Sequence, residues 1–154
     1  MLPDPVQTFE HDRVRCSSLV RSLGEHRDVS RRKPFSRKQL VGVIERLCDE
    51  LFTHFAREEE GLFPFIVALL PDARRTVDRL VAAHDAICGR LSHLLLLTSQ
   101  TCSDSDLAAF DELLTGFNDL YTEHTNTEMT LLQEIGERLD RTQRAKLRRL
   151  IRGL

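Results

Sequence analysis

Residues 40–62 read LVGVIERLCDELFTHFAREEEGL. Leu40, Val43, Ile44, Leu47, Leu51 and Phe55 recur at steps of three and four, which places them on one face of an α-helix. His54 and Glu58 stand four apart near the end of that stretch, so they share a face with each other. The same period continues downstream. Val77, Leu80, Val81, His84, Ile87, Leu91 and Leu94 form a second such set. Leu107, Phe110, Leu113, Leu114, Phe117, Leu120, Tyr121, His124, Leu131, Leu132 and Ile135 form a third. No stretch alternates apolar and polar residues as a half-buried strand would.

The remaining punctuation divides the chain into helices. A first helix is expected from about Val6 to Leu23, stopped by Gly24, with Glu25 to Pro34 as a polar, basic loop. The second begins near Ser36 as N-cap and runs to Leu62, with Pro64 kinking or ending it and Phe65 to Leu70 adding a turn or two. Pro71-Asp72 starts the third, which fades near Thr98. Thr101 to Ser105 is a loop in which Ser103 or Ser105 can cap the fourth. A short fifth helix runs from about Thr142 to Arg152. Four long amphipathic helices joined by moderate loops predict an all-α, up-down-up-down four-helix bundle with a short C-terminal helix. At 154 residues the chain is expected to be a single domain, 1–154.

Composition narrows the function. The net charge of −2 argues against binding nucleic acid by bulk charge. The basic run Arg141, Arg144, Lys146, Arg148, Arg149 and Arg152 reads as a solvated helix face suited to a helix C-terminus. The longest aliphatic cluster, Leu94 to Leu97, is too short to span a bilayer, and the first residues show no secretory pattern. A cytoplasmic protein with no membrane partner is the expectation. Cys16, Cys48, Cys88 and Cys102 form no CxxC pair, so a thiolate zinc site is not expected.

Six His are the chemical signal. His11, His54, His84 and His124 fall one per main helix, and two of them open a His-x-x-x-Glu pair: His54 with Glu58, His124 with Glu128. Twelve Glu and six His in this length yield roughly half of one such pair by chance. His54 and His124 are 70 residues apart, as are Glu58 and Glu128, so the set reads as two half-sites. Imidazoles and carboxylates in a dry core each need a partner, and two carboxylates repel; divalent cations answer both demands. A donor set of N and O without thiolate suits iron, and manganese or zinc less specifically. Six ligands exceed what one ion with open positions can use and suit two.

The residues Glu10-His11-Asp12, His54-Phe55-Ala56-Arg57-Glu58-Glu59 with Leu62-Phe63-Pro64, His84-Asp85 and His124-Thr125-Asn126-Thr127-Glu128 resemble the hemerythrin-like (HHE cation-binding) family over nearly the whole chain. The resemblance implies a non-haem centre of two iron ions, with His11 and His54 serving one, His84 and His124 the other, and Glu58 and Glu128 bridging. The ligand pattern differs from that of the oxygen carriers. Cys88 stands where they have a second third-helix His, and Glu128 where they have Asp. Four His and two Glu are more similar to the iron-centre repair di-iron proteins, although the cysteine-bearing N-terminal domain of many of those is missing here. Fewer His leave positions open, which favours reaction with or sensing of O2, NO or peroxide over carriage. The alternative is a non-enzymatic iron sensor or reservoir whose metal state controls a protein partner, met at the basic segment Arg27 to Lys38 with Arg31, Arg32 and Lys33. Whether the chain is an enzyme, which reductant it meets and its oligomeric state are left open by these residues.

Around the six, Cys88 shares the face of His84, where packing, weak ligation or redox chemistry are open to it. Tyr121, three before His124, is a core residue or a hydrogen-bond partner of the site, and Glu50 a possible partner of His54. Glu59 and Glu60 are expected to face solvent, His26 to lie in the exposed loop and His93 to face away from the centre.

Overall fold

A computed structural model describes residues 3–30, 37–99 and 104–154 of the chain. Helix α1 (Pro5–Ser30) is followed by α2 (Arg37–Arg57), a π-helical turn (Glu58–Leu62), α3 (Phe63–Leu69), a 3-10 turn (Pro71–Ala73), α4 (Arg74–Ser99), α5 (Asp104–Arg138) and α6 (Arg141–Arg152). No strand occurs among the described residues. Helix α1 packs on α2 and α5, and α4 packs on α2 and α5, which closes a four-membered ring in chain order. The hydrophobic stripes anticipated from the sequence line its inside.

The core is divided into two apolar halves. One gathers Cys16 and Leu23 of α1, Ile44, Leu47 and Leu51 of α2, Ile87 and Leu91 of α4, and Phe117 and Tyr121 of α5. The other gathers Val6 and Phe9 of α1, Leu62 to Ile66 around the π-turn, Val77 and Leu80 of α4, and Leu131 to Ile135 of α5. On each long helix the residues between the two halves are polar: Asp12 on α1, His54 and Glu58 on α2 and the π-turn, His84 on α4, and His124 and Glu128 on α5. Matching apolar blocks above and below bring these side chains to one level. Residues 71–99 are long and apolar enough to cross a membrane, but Val77, Leu80, Ile87, Leu91 and Leu94 there face the bundle core.

Helix α6 covers the π-turn. Asp140 caps it, accepting from the Gln143 N–H at 2.7 Å, while the Gln143 side chain accepts from the Asp140 N–H at 2.9 Å. Leu147 is buried, Arg144 binds Asp4, and Arg148 donates to the Pro3 carbonyl at 3.2 Å. A Cβ on Gly61 would stand 3.1 Å from Leu154 Cδ1, so the bare backbone of the π-turn lets the C-terminus lie close.

Several boundaries differ from expectation. Gly24 does not stop α1: no glycine has positive φ, and the helix continues to Ser30. The added turn is held by Arg27, which is buried and makes two bonds to Asp111 of α5, at 2.7 and 3.0 Å. His26 is therefore helical and half-buried, its Nδ1 2.8 Å from the Ser22 carbonyl oxygen, rather than in an exposed loop. Ser105 lies inside α5 and does not cap it. Ser36, Ser103 and the basic Arg31, Arg32 and Lys33 fall outside the described residues.

Asp111→Ala leaves the buried Arg27 guanidinium without its carboxylate. The expected cost is about 2–3 kcal/mol in urea unfolding, moderated because Asp111 is one-third exposed. A change below half a kcal/mol would remove this pair as the reason α1 outlasts Gly24.

Candidate metal centre

Three helices and the π-turn bring five of the expected residues together. His54 Nε2 lies 3.3 Å from Glu58 Oε1, and Glu58 Oε2 lies 3.1 Å from His84 Nε2. Glu128 makes the parallel link, with Oε1 3.5 Å from His54 Nε2 and Oε2 3.5 Å from His124 Nε2. Each carboxylate thus reaches two imidazoles with its two oxygens, and each imidazole turns Nε2 toward the shared space. Two sets of donor atoms lie within 4.8 Å of one another: Glu58, His84 and His124, and His54, Glu58 and Glu128. Glu58 belongs to both.

These contacts are close without being hydrogen bonds. Both oxygens of Glu58, Oε1 of Glu128, and Nε2 of His84 and of His124 have no hydrogen-bond partner. All five residues are at most 3% exposed. A buried carboxylate or imidazole without a partner costs several kcal/mol, so lone pairs that converge on one another's space call for a cation there. Three imidazoles and two carboxylates, with no thiolate, suit iron, manganese or zinc by donor type.

The electrostatics agree. Burial and the Glu128 charge hold Glu58 well above the usual carboxylate range. Glu128 is buried too, but its contacts with His124 and His54 outweigh burial and hold it well below that range. Of the two, Glu58 is therefore the easier to protonate and Glu128 the harder. Burial, reinforced by His124, lowers His84 to about 3, so its ring is neutral and able to ligate.

The shell behind these donors contains two residues whose part sequence reasoning missed. Glu59 is exposed, as expected, and also reaches back to His84: its Oε1 lies 2.6 Å from His84 Nδ1. With Nδ1–H donating there, Nε2 is left as the free lone pair toward Glu58. Phe55 stacks on His84 at 3.7 Å between centroids and 11° between planes, and Phe63 stacks at 5.7 Å, so the ring is held on two sides. Asp12 is the second. It is buried, lies 4.0 Å from His54 Nδ1, and accepts from Arg57 at 2.9 Å and Arg15 at 3.0 Å.

His11 is not brought into the centre. It lies exposed on α1, beside a groove with Val14, Arg15, Ser18, Leu19, Arg46 and Glu50. Phe9, Cys16 and Leu23 set the buried face, and at 100° per residue Asp12 shares that face while His11 does not. Four-His ligation is thus not assembled among the described residues. Glu50 pairs with Arg15 at 2.9 Å rather than with His54. The Tyr121 hydroxyl lies 3.0 Å from Ser17 Oγ, and burial pushes it up to about 12. Cys88 is a half-buried free thiol packed against the core, pushed up by burial to about 11. His93 is exposed.

The π-helical turn was also not anticipated. Phe63 N–H bonds to the Glu58 carbonyl, five residues back, and so widens the helix where Pro64 would otherwise crowd the Glu60 carbonyl. The extra residue lets Glu58 point inward and Glu59 reach His84 from the rim. Pro64 was the only sequence signal of it.

Comparison with known proteins decides the family. The model for the hemerythrin HHE cation binding domain matches residues 6–135, which include all five buried donors. The chain belongs to that family. No curated protein and no solved structure matches significantly. As an HHE domain, the chain is a helical bundle of a cation-binding kind, and its cluster of His and Glu is compatible with that role.

Two outcomes test this site. Because burial and the Glu128 charge favour a proton on Glu58, Fe(II) uptake should release protons, and apparent affinity should fall as pH is lowered through the raised Glu58 range. Calorimetry in buffers of different ionisation enthalpy reads the proton count. Glu59→Ala should weaken metal binding about 10- to 100-fold by freeing the His84 ring. An unchanged affinity would show that Glu59 does not orient it.

Proposed function

We propose that this HHE domain holds two iron ions and reacts with or senses a small diatomic or peroxide: O2, NO or H2O2. The observation that carries the reading is Glu58, whose two unpartnered oxygens face His54 on one side and His84 on the other and which belongs to both donor groups. That is the placement of a carboxylate shared between two cations. When bound, ferrous iron supplies a site for a small ligand and up to two electrons from the pair. Manganese or zinc would fill the same donors without that redox range.

The chain's own residues perform the rest. His54, His84 and His124 would present ring nitrogens to the ions, and Glu58 and Glu128 would supply carboxylate charge against two divalent ions. Three His and two Glu leave both ions short of a full shell, so coordination positions remain for the ligand or water. Glu59, Phe55 and Phe63 fix the His84 ring, and Asp12 stands behind His54. The two apolar halves keep bulk water from the polar layer. We assign the chain to the cytoplasm, with neither nucleic acid nor membrane as partner.

The second reading, an iron sensor or reservoir acting on a protein partner, is favoured by the same desolvated carboxylate pair. Without a cation, Glu58 and Glu128 oppose one another between the apolar halves, so metal should tighten the bundle.

Anaerobic Fe(II) titration is expected to saturate at two ions per chain, with His54→Ala and Glu128→Ala each losing at least one. Binding of no iron would overturn both readings. A large metal-dependent rise in melting temperature without reaction toward O2, NO or H2O2 would select the second.

A further inference from the structure

We propose that the cleft between α4 and α5 is the entrance by which a small uncharged ligand reaches the cation centre, and that Ala83 sets its width. The inference rests on the small-ligand reading above and adds the route. The cleft holds about 120 Å³. Leu80 and Ala83 form its α4 wall, Leu120 and Thr127 its α5 wall, and His124 is reached at its inner end. The His124 side chain is 1% exposed, and neither ring nitrogen has a hydrogen-bond partner. The inner end therefore offers one of the buried donors that face Glu128, and the outer end opens to solvent.

Size and polarity define what can pass. A water molecule takes up about 30 Å³ of liquid, so the cleft has room for a diatomic or H2O2 with a few waters, whereas metabolite pockets run to roughly 300–1,000 Å³. The Thr127 hydroxyl donates to the Glu123 carbonyl at 3.0 Å, so its hydrogen is already engaged within α5. Arg79 and Glu123 stand at the mouth with opposite charges and give no net pull on an ion. Three larger clefts, of about 510, 460 and 430 Å³, touch none of the five buried donors. Ala83 is the smallest side chain of the wall and is half-buried, so a larger one there fills the cleft from its surface side and leaves the core intact.

Two measurements test the route. Crystals of the metal-free protein pressurised with xenon should show a xenon atom between Ala83 and His124, absent in Ala83→Phe. In the Fe(II)-loaded protein, stopped-flow association of NO should slow about tenfold or more in Ala83→Phe and stay unchanged in Ala82→Phe, whose side chain is exposed outside the cleft. Iron content and melting temperature should match the parent in both variants, and Ala83→Leu serves if the Phe variant does not fold. Wild-type NO association in an iron-replete Ala83→Phe, or xenon absent from the cleft of the parent, would overturn the proposal. Failure to bind iron at all would sink the di-iron reading, while the xenon result would still decide the route.

Discussion

The constraint on which this bundle depends is a layer of two carboxylates and three imidazoles buried between two apolar halves, with most of the atoms that face one another unpartnered. Apolar packing of the kind seen in each half stabilises at roughly 25 cal/mol for each Å² removed from water. The polar layer opposes that gain, because each unpartnered donor forgoes its hydration. A helical bundle has no need of such a layer for folding, and filling the level with Leu would be the simpler solution. Its placement on three helices at one height is compatible with a cation in the shared space, as the family match implies. The orientation of the shell makes the same point: Glu59, Phe55 and Phe63 hold the His84 ring with its unpartnered Nε2 toward Glu58.

Much of this was legible in the sequence, for a definable reason. On α2, α4 and α5 the apolar residues keep a clean period, so His54, Glu58, His84, His124 and Glu128 could be assigned to the inside without ambiguity. Helix α1 is different. Its apolar residues are sparse and spread around the axis, with Val14 57% exposed while Phe9 is fully buried. One residue of phase is 100° of rotation, and at that resolution the adjacent His11 and Asp12 could not be separated. Packing of Phe9, Cys16 and Leu23 chooses Asp12.

The other departures come from contacts distant in sequence. Gly24 carries a stop signal only when the chain beyond it has nothing to gain from remaining helical. The Arg27–Asp111 pair, between α1 and α5, supplies that gain. Glu59 is exposed, as its neighbours suggested, but a regular helix gave no sign that it would reach His84. The π-turn changes the local phase, and its cause, a proline six residues after Glu58, is a breaker whose accommodation depends on the packing around it.

The π-turn also breaks the symmetry that the repeated His-x-x-x-Glu spacing suggests. Glu128 sits in an unbroken α-helix and joins one donor group, whereas Glu58 sits in the widened turn and joins both. One group has two imidazoles and one carboxylate, the other one imidazole and two carboxylates. Under the two-ion reading these positions are chemically unlike. The carboxylate-rich one places more negative charge on its ion and suits the harder cation or the higher oxidation state, and Asp12 behind His54 adds to that field. The imidazole-rich one contains His124, the donor at the inner end of the α4–α5 cleft. The two donor groups thus differ in carboxylate content and in access from the cleft, an asymmetry that the 70-residue repeat alone does not disclose.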